Sequence, residues 1–460
     1  MKRIGDPAVT LPAAAPAASD PLKERATAFA DTVSMSVLHR LASAPPGNVE
    51  NLLSEHPDWS ALVRDHPPAP NVVVEWWKGL DAATIAALIS GASPLIGNLE
   101  GISYVSRDQA NRKTLEREIA NLRAQLKAIE ERPASAWEPG YGVGGGSRVQ
   151  TEVVMHRLEN LLNIEKALLS PPDAPRRSLV SMSDSWPPLA AVAIDDLDSA
   201  DQVSFAVPGM GTTTSDMVGW TTVAQRLYDQ QNLEDPGSKR ATIAWIGYET
   251  PPVPVLQGGF DVMGDERAQV GAQKLSRALA GVESTVSPSA GLDVIGHSYG
   301  TTTASLALTL PETPRVDTFV SVGSAGLPPA IDAAEDLNAE RVYAGQARNT
   351  LPLISPQAGD QWAWTGRMSD RHPVDPSTAG FGAQVFGTDG DNGMYPVTDH
   401  SALMQSGDGL GYFDRGTESL QNIARATTQT GGISRPQHTS DGNPLRSYWE
   451  EVIQNPGFSL

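Results

Sequence analysis

The run from Leu292 to Thr301 constrains the fold of this chain more than any other segment, because an apolar strand-like stretch enters the pattern Gly-x-Ser-x-Gly there. A helical pattern follows directly, over residues 301–310. Where a strand turns sharply into a helix at such a serine, the hydroxyl is exposed on a strained bend, and flanking glycines allow close backbone packing. With 42 glycines in the chain, the five-residue pattern is weak evidence by itself. Its position between a strand and a helix predicts that Ser298 is a nucleophile.

Short apolar runs alternate with helical patterns through the C-terminal part of the chain. Eight runs have strand character: residues 178–182, 189–194, 202–207, 242–246, 292–295, 318–322, 341–344 and 383–386. Helical patterns separate several of the later runs, at residues 215–231, 265–280 and 301–310. This alternation predicts a mostly parallel sheet that is covered by helices on both faces. The first two runs are joined too closely for a crossover helix, so we expect them to pair antiparallel.

A serine hydroxyl is a poor nucleophile until a base removes its proton, so a histidine must lie at the same sheet edge. Downstream of Ser298 the chain has His372, His400 and His438. In folds with this type of serine turn the order along the chain is serine, acid, histidine, and the histidine follows the last strand. His400 follows the final strand-like run, whereas His372 precedes it and His438 lies near the C-terminus. We therefore predict that His400 is the general base.

The negative charge that develops on the attacked carbonyl needs hydrogen-bond donors. The strand-like run 202–207 leads into the glycine-rich loop 208–212, which suits a backbone N–H aimed at that charge. We predict that the N–H groups of Met210 and Tyr299 form this oxyanion hole. A dinucleotide-binding reading of the loop is weaker, because Thr214 stands where the third glycine belongs and no acidic residue ends the next strand. We therefore expect no cofactor.

The segments 207–212, Val-Pro-Gly-Met-Gly-Thr, and 296–301, Gly-His-Ser-Tyr-Gly-Thr, together resemble an uncharacterised actinobacterial α/β-hydrolase family. Further matches are residues 195–201, 244–248, 322–326, 375–376, 381–383 and 399–401. The resemblance covers about residues 178–432 and implies an α/β-hydrolase fold with a Ser-His pair. Upstream, residues 76–77, 95–102 and 107–112 resemble the helical segment that often precedes this domain.

The acid is where the sequence departs from the family. Members typically carry an aspartate just after the strand equivalent to residues 341–344, and here residues 346–350 read Gln-Ala-Arg-Asn-Thr. Asn349 can accept a hydrogen bond from the histidine but cannot stabilise an imidazolium by charge. Asp360 and Asp375 are the nearby carboxylates, and Asp375 lies in the Asp-Pro element of the family. We predict Asp375 as the acid, with Asp360 and Asn349 as alternatives.

The chain upstream of the strand-rich part is helical in pattern. Five apolar positions with steps of four and three predict a long helix: Leu115, Ile119, Leu122, Leu126 and Ile129. Helical spacing resumes over residues 153–169, after a Gly/Ser connector at 140–147, and predicts a helical hairpin. We expect a flexible tail at 1–20, a helical region at 21–170, an α/β-hydrolase domain at 171–435 and a C-terminal tail at 436–460.

Charge and composition exclude several classes of function. The chain has 34 Lys and Arg against 54 Asp and Glu, a formal charge of -20, which disfavours a nucleic-acid partner. It has no cysteine, and we predict no metal site. No apolar run approaches the roughly 20 residues of a membrane span, and no signal peptide is recognisable. We expect a cytoplasmic protein, or one exported by a non-classical route.

The sequence thus predicts an esterase- or lipase-like enzyme that hydrolyses the carboxylic ester of a small molecule or a lipid. The alternative is a weak or inactive hydrolase fold that serves as a binding or secretion-associated effector. In that case the N-terminal helices are the functional part, and we expect a protein partner to dock on them. Retention of Ser298 and His400 favours the enzyme, whereas the missing aspartate favours the alternative.

Overall fold

The computed structural model describes residues 21–131, 145–253, 261–287, 289–347, 360–391, 393–404 and 410–436. The predicted N-terminal tail lies outside these residues, as does all but the first residue of the predicted C-terminal tail. Asn349, one candidate for the acid, is also outside them.

The first helices form a small apolar cluster of their own. They are α1 (Pro21–Ala42), α2 (Val49–Glu55), α3 (Asp58–Asp65), α4 (Pro70–Lys78), α5 (Ala82–Gly91) and α6 (Ser93–Ile96). Pro70 occupies the first turn of α4, where its fixed φ suits a helix start. Asp81 caps α5 by accepting the N–H of Thr84 at 2.8 Å. Trp76 and Trp77 are buried between these helices.

Two long helices follow and pack against each other in the predicted hairpin: α7 (Tyr104–Glu130) and α8 (Gly145–Ala167). The apolar positions Leu115 and Leu161 belong to the same buried cluster as Leu179 and Val192 of the sheet. The helices therefore share their core with the strand-rich part of the chain. The division at residue 170 stays a prediction.

The strand-rich part contains one eight-stranded sheet in the order β1-β2-β4-β3-β5-β6-β7-β8. Its strands are β1 (Arg177–Met182), β2 (Ala190–Ile194), β3 (Gln202–Val207), β4 (Arg240–Ile246), β5 (Gly291–His297), β6 (Val316–Val322), β7 (Ala339–Gly345) and β8 (Gln384–Phe386). β2 runs antiparallel to β1 and β4, and the other neighbours pair parallel. Each strand-like run of the sequence overlaps a strand of the sheet, and the predicted α/β-hydrolase fold is confirmed.

Helices cover both faces of the sheet because alternate residues of each strand point to opposite sides. The later helices are α9 (Met217–Glu234), α10 (Glu266–Thr285), α11 (Tyr299–Ala307), α12 (Gln361–Gly366) and α13 (Glu418–Thr428). Phe205 and Val294 pack in the cluster that contains residues of α10 and α11. Ala206 and Ile295 pack in the cluster that contains residues of α7, α8, α9 and α13. Because these strands are parallel, their carboxyl ends lie at one edge of the sheet, and the loops that follow them meet there.

Polar side chains of the helical region occupy the free edge of β1. Asn98 accepts the N–H of Met182 and donates to its carbonyl oxygen, both at 2.8 Å. The Asp108 carboxylate accepts the N–H of Leu179 at 2.7 Å, and Asn111 donates to the Leu179 carbonyl at 3.0 Å. An edge strand exposes unpaired backbone groups that template association with other chains. These side chains stand in for a missing neighbouring strand.

The clamp on β1 yields a stability prediction at Asn111, which is fully buried and also donates to the Gly97 carbonyl at 2.7 Å. Asn111→Ala leaves two buried carbonyl groups without their donor, which lowers the free energy of unfolding by about 1–3 kcal/mol. Denaturant unfolding of the full chain measures the change. Asn51→Ala is the control, since Asn51 is exposed and its side chain bonds Asn48 on the surface. Equal stability of the two variants would contradict the clamp.

A second prediction concerns Asp293, which is fully buried in β5. Its Oδ2 accepts Gln202 Nε2–H at 2.8 Å and Ser204 Oγ–H at 3.2 Å. Its Oδ1 has no hydrogen-bond partner among the described residues. Burial raises the pKa of this carboxyl from its ordinary value of 3.8 to about 7.

Between about pH 4 and pH 7 the unfolded chain releases the Asp293 proton while the folded chain keeps it, so this group makes the free energy of unfolding fall as pH rises. Asp293→Asn cannot ionise. We expect its melting temperature, relative to wild type, to increase from about pH 5 to about pH 8. Thermal unfolding at both pH values checks this, with Asp370→Asn at an exposed position as control. A difference from wild type that is independent of pH would contradict the expectation.

Candidate active site

Ser298 lies at the bend between β5 and α11, with a φ of 56° and a ψ of -128°. A positive φ is strained for a residue with a side chain, and it persists only where the surroundings hold it. The Ser298 N–H donates to the Val322 carbonyl at 3.0 Å, and Thr301 Oγ1–H donates to the Ser298 carbonyl at 2.7 Å. The backbone of Ser298 is therefore fixed from both sides.

Three glycines are required by the packing around this bend. A Cβ at Gly296 would lie 2.8 Å from the Thr301 Cα, and one at Gly300 would lie 2.4 Å from the Val207 carbonyl oxygen. A Cβ at Gly209 would lie 2.6 Å from the Ser298 Cβ. Real Cβ atoms do not approach other heavy atoms this closely. The two motif glycines allow the bend, and Gly209 allows the loop after β3 to touch the serine.

His400 and Ser298 are separated by 102 residues, yet His400 Nε2 lies 2.8 Å from Ser298 Oγ. The histidine is on the loop that follows β8, as the sequence predicts. Its other ring nitrogen, Nδ1, lies 2.7 Å from Asp360 Oδ1. A neutral imidazole that donates Nδ1–H to the carboxylate leaves Nε2 free to accept the serine proton.

The structure places Asp360, and not the predicted Asp375, within hydrogen-bond distance of His400. Asp375 accepts the N–H of Ser377 at 2.9 Å and its Oγ–H at 2.6 Å. Its second oxygen lies 3.2 Å from an Arg367 nitrogen, an ion pair without hydrogen-bond geometry. Asp375 is thus engaged in a local turn and an ion pair away from the histidine.

Asp360 is held by the start of a short helix. Its Oδ1 accepts the N–H of Ala363 at 2.9 Å, which caps α12, and its Oδ2 accepts the Tyr412 O–H at 2.7 Å. The sequence analysis gives Asp360 only as an alternative to Asp375. Its sequence signal is that of an N-cap, because an aspartate often stands directly before a helical segment. Asp360 is far from the end of β7 along the chain, so the sequence does not show that this cap lies at the site.

The charge state of Asp360 follows from these contacts. Burial by itself would raise its pKa, but the charge and hydrogen bond of His400, with the donors Tyr412 and Ala363, lower the pKa to about 2. The side chain is fully buried, so this carboxylate is ionised and shielded from water. Burial and the neighbouring Asp360 charge raise the pKa of Tyr412 well above its ordinary value, and the phenol keeps the proton that it donates.

A second histidine holds the backbone of the first. His297 Nε2–H donates to the His400 carbonyl oxygen at 2.7 Å, and the two ring centroids are 5.1 Å apart. Burial, aided by the charge of His400, lowers the pKa of His297 to about 3, so its ring is neutral. Sequence reasoning assigned no role to His297 or Tyr412, because their partners lie far away along the chain.

The two residues predicted to supply the oxyanion donors belong to segments next to Ser298. Tyr299 is the first residue of α11, where a backbone N–H has no partner within its own helix. Met210 follows Gly209, where an added Cβ would lie 2.6 Å from the Ser298 Cβ. This placement fits an oxyanion hole, which stays a prediction.

His372 has a different environment from His400. It is fully buried, with Nδ1 at 2.8 Å from the Ala325 carbonyl oxygen and Nε2 at 3.0 Å from the Val262 carbonyl oxygen. It therefore ties two loops together. Among the described residues, no group of three or more His, Asp and Glu is arranged to hold a metal ion. Within the same residues, no helix has the length and apolarity needed to cross a membrane.

Comparisons with known proteins agree with this fold. A family model described as alpha/beta hydrolase matches residues 187–353. An uncharacterised protein of Mycobacterium tuberculosis is 27% identical over 414 residues, which cover 80% of this chain and 58% of that protein. An uncharacterised protein of Mycobacterium bovis is 32% identical over 160 residues, 33% of this chain and 58% of that protein. The chain thus spans about 58% of the length of these relatives.

Two solved structures give more distant likenesses. A hyperthermophilic esterase from Pyrobaculum calidifontis is 14% identical, with a TM-score of 0.32, over 66% of this chain and 97% of that chain. A putative dienelactone hydrolase from Klebsiella pneumoniae is 12% identical, with a TM-score of 0.28, over 59% of this chain and 94% of that chain. Likenesses this distant say nothing about activity.

The geometry predicts which carboxylate accepts the hydrogen bond from the Nδ1–H of His400. In proton NMR spectra, the Nδ1–H of His400 should resonate far downfield, because it donates to an ionised, buried carboxylate. Asp360→Asn should abolish that signal, whereas Asp375→Asn should retain it. Retention in Asp360→Asn together with loss in a folded Asp375→Asn would reverse the assignment.

Proposed function

We propose that this protein is a serine hydrolase that cleaves carboxylic esters, with Ser298 as nucleophile, His400 as general base and Asp360 as the orienting acid. The observation that carries the proposal is the chain of two short contacts, 2.8 Å from Ser298 Oγ to His400 Nε2 and 2.7 Å from His400 Nδ1 to Asp360. This arrangement activates a serine hydroxyl at neutral pH.

The proposed reaction has two halves. Ser298 Oγ attacks the ester carbonyl carbon while its proton passes to His400 Nε2, and the N–H groups of Met210 and Tyr299 stabilise the resulting oxyanion. When this intermediate collapses, the carbon–oxygen bond to the alcohol breaks and the alcohol takes the proton from His400. Water then attacks the acyl-serine by the same route and releases the acid. Asp360 stays ionised throughout and stabilises the imidazolium.

The environment of the three residues supports a working proton relay. Tyr412 donates to Asp360 Oδ2, and the Ala363 N–H donates to Oδ1, the oxygen that His400 also contacts, so the buried carboxylate keeps its charge and direction. His297 stays uncharged and fixes the loop that carries His400. Such fixed polar surroundings need no rearrangement as charge moves during the reaction.

The non-catalytic alternative loses its main support. The lack of an aspartate just after β7 favours an inactive hydrolase fold. Asp360 supplies a buried carboxylate at His400 instead. Ester substrates fit the proposal as the simplest acyl donors for this set of groups. A protein partner on the N-terminal helices, and the cellular location, stay predictions.

A fluorophosphonate probe tests the proposal. It reacts covalently with an activated serine, so the full chain should be labelled at Ser298, and Ser298→Ala should not be labelled. Mass spectrometry of the digested protein locates the adduct. Ser289→Ala, which removes an exposed serine, should react like the wild type.

Turnover of a chromogenic ester then separates an ester hydrolase from a merely reactive serine. Asp360→Asn should lower kcat by roughly 10⁴, as loss of the orienting carboxylate can. Equal labelling of wild type and Ser298→Ala would refute the nucleophile. Labelling at Ser298 without turnover of any carboxylic ester would refute the substrate class alone.

A further inference from the structure

A second concave site lies along β7 and β8, at one side of the sheet. It is a groove of about 550 Å³ between β7, β8 and the segment that follows α13. Three arginines line it, Arg341 of β7, Arg425 of α13 and Arg435 beyond α13, and none of the described residues that line it is acidic. In a chain with 54 acidic and 34 basic residues, such a lining runs against the overall charge. We call this feature the arginine groove.

The arginine groove is separate from the proposed active site. Arg341 pairs with Thr318, which pairs with Asp293 in β5. Ser298 lies five residues beyond Asp293, towards the carboxyl end of the sheet. At about 3.3 Å per residue, Arg341 is displaced from Ser298 by roughly 16 Å along the strands, in addition to the strand spacing.

Two of the three guanidinium groups are anchored from outside the groove. Glu340 lies 2.6 Å from an Arg341 Nη, and Glu234 lies 3.1 Å from Arg425 Nε. Arg435 is exposed. The two carboxylates offset two of the three positive charges, so the local balance is +1 in a chain of -20. Arg425 Nη1–H also donates to the Gly432 carbonyl oxygen at 3.1 Å. These contacts hold the two guanidinium groups in place and leave their other N–H groups for a ligand.

Arg341 also has a donor that the described residues leave unused. Its Nε is buried and has no hydrogen-bond partner among them. Buried donors in folded proteins are paired with protein, water or ligand, and each exception calls for an explanation. The side-chain amides of Gln384 and Gln429 line the same groove and add neutral donors. The lining thus offers many donors and a positive charge to an acceptor-rich group.

We propose that the arginine groove binds the phosphate group of a small soluble molecule. Guanidinium groups match phosphate oxygens in pairs, and the strength of such charge-assisted bonds exceeds that of neutral ones. The volume is in the range of small-molecule sites. A free phosphate ester fits better than a lipid headgroup, because an anionic membrane brings many negative charges close to a chain of net charge -20, whereas a free ester brings one phosphate group.

Calorimetric titration of the full chain with inorganic phosphate, at constant ionic strength in sodium chloride, tests the proposal. We expect saturable binding at one site. Arg435→Gln and Arg341→Gln should each weaken it about tenfold or more, since each removes charge-assisted hydrogen bonds. Arg123→Gln removes an exposed arginine of α7 and should leave the affinity unchanged. Arg435 is exposed, so its variant remains a test if Arg341→Gln fails to fold.

Glycerol phosphate and vesicles that contain phosphatidic acid distinguish the source of the phosphate. Glycerol phosphate should bind with the same dependence on Arg435, and the vesicles should not. Absence of saturable phosphate binding, or unchanged affinity in Arg435→Gln, would overturn the site. Vesicle binding that is lost in Arg435→Gln would overturn the soluble ligand. Fluorophosphonate labelling of these variants should equal that of the wild type, so the outcome is independent of the proposed hydrolase activity.

Discussion

The strained backbone at Ser298 is the constraint on which the architecture of the site depends. A φ of 56° at a residue with a side chain has to be imposed by the surroundings. The sheet supplies one support through the Val322 carbonyl, and the absence of side chains at Gly296 and Gly300 supplies the space. Once the bend is fixed, the serine hydroxyl lies at the carboxyl end of β5. The loops that follow β3, β7 and β8 begin at the same edge of the sheet.

A buried negative charge is the second demand that the structure meets. Asp360 is removed from water, and an unpaired carboxylate in that position would take up a proton. Contacts from His400, Tyr412 and Ala363 reverse this tendency and hold the pKa near 2. Ala363 at the start of α12 and the buried Tyr412 therefore belong to the site together with His400, because all three bind the Asp360 carboxylate.

The N-terminal helices and the sheet depend on each other. Helix α7 supplies Asp108 and Asn111 to the edge of β1, and the loop before it supplies Asn98. In return, the Asp198 carboxylate accepts the N–H groups of Tyr104 and Val105, both at 2.8 Å, at the start of α7. These reciprocal bonds give a structural reason for a helical segment ahead of a hydrolase fold, whatever further role the helices have.

Local pattern determined most of the fold and two members of the proposed triad. The sequence predicts the strands, the Ser298 motif and the position of His400 after the last strand, because each depends on residues that are neighbours in sequence. The sequence does not identify the acid of the proposed triad. Asp360 and Asp375 lie in the same connection between β7 and β8, and they differ in which of them reaches His400 and in their other partners, Tyr412 for Asp360 and Arg367 for Asp375. The Tyr412 contact with Asp360 joins residues that are distant along the chain, as do the His297 bond to His400 and the convergence of Arg341 with Arg425 and Arg435. Only the packed tertiary structure decides such contacts, because no local periodicity encodes which loops meet.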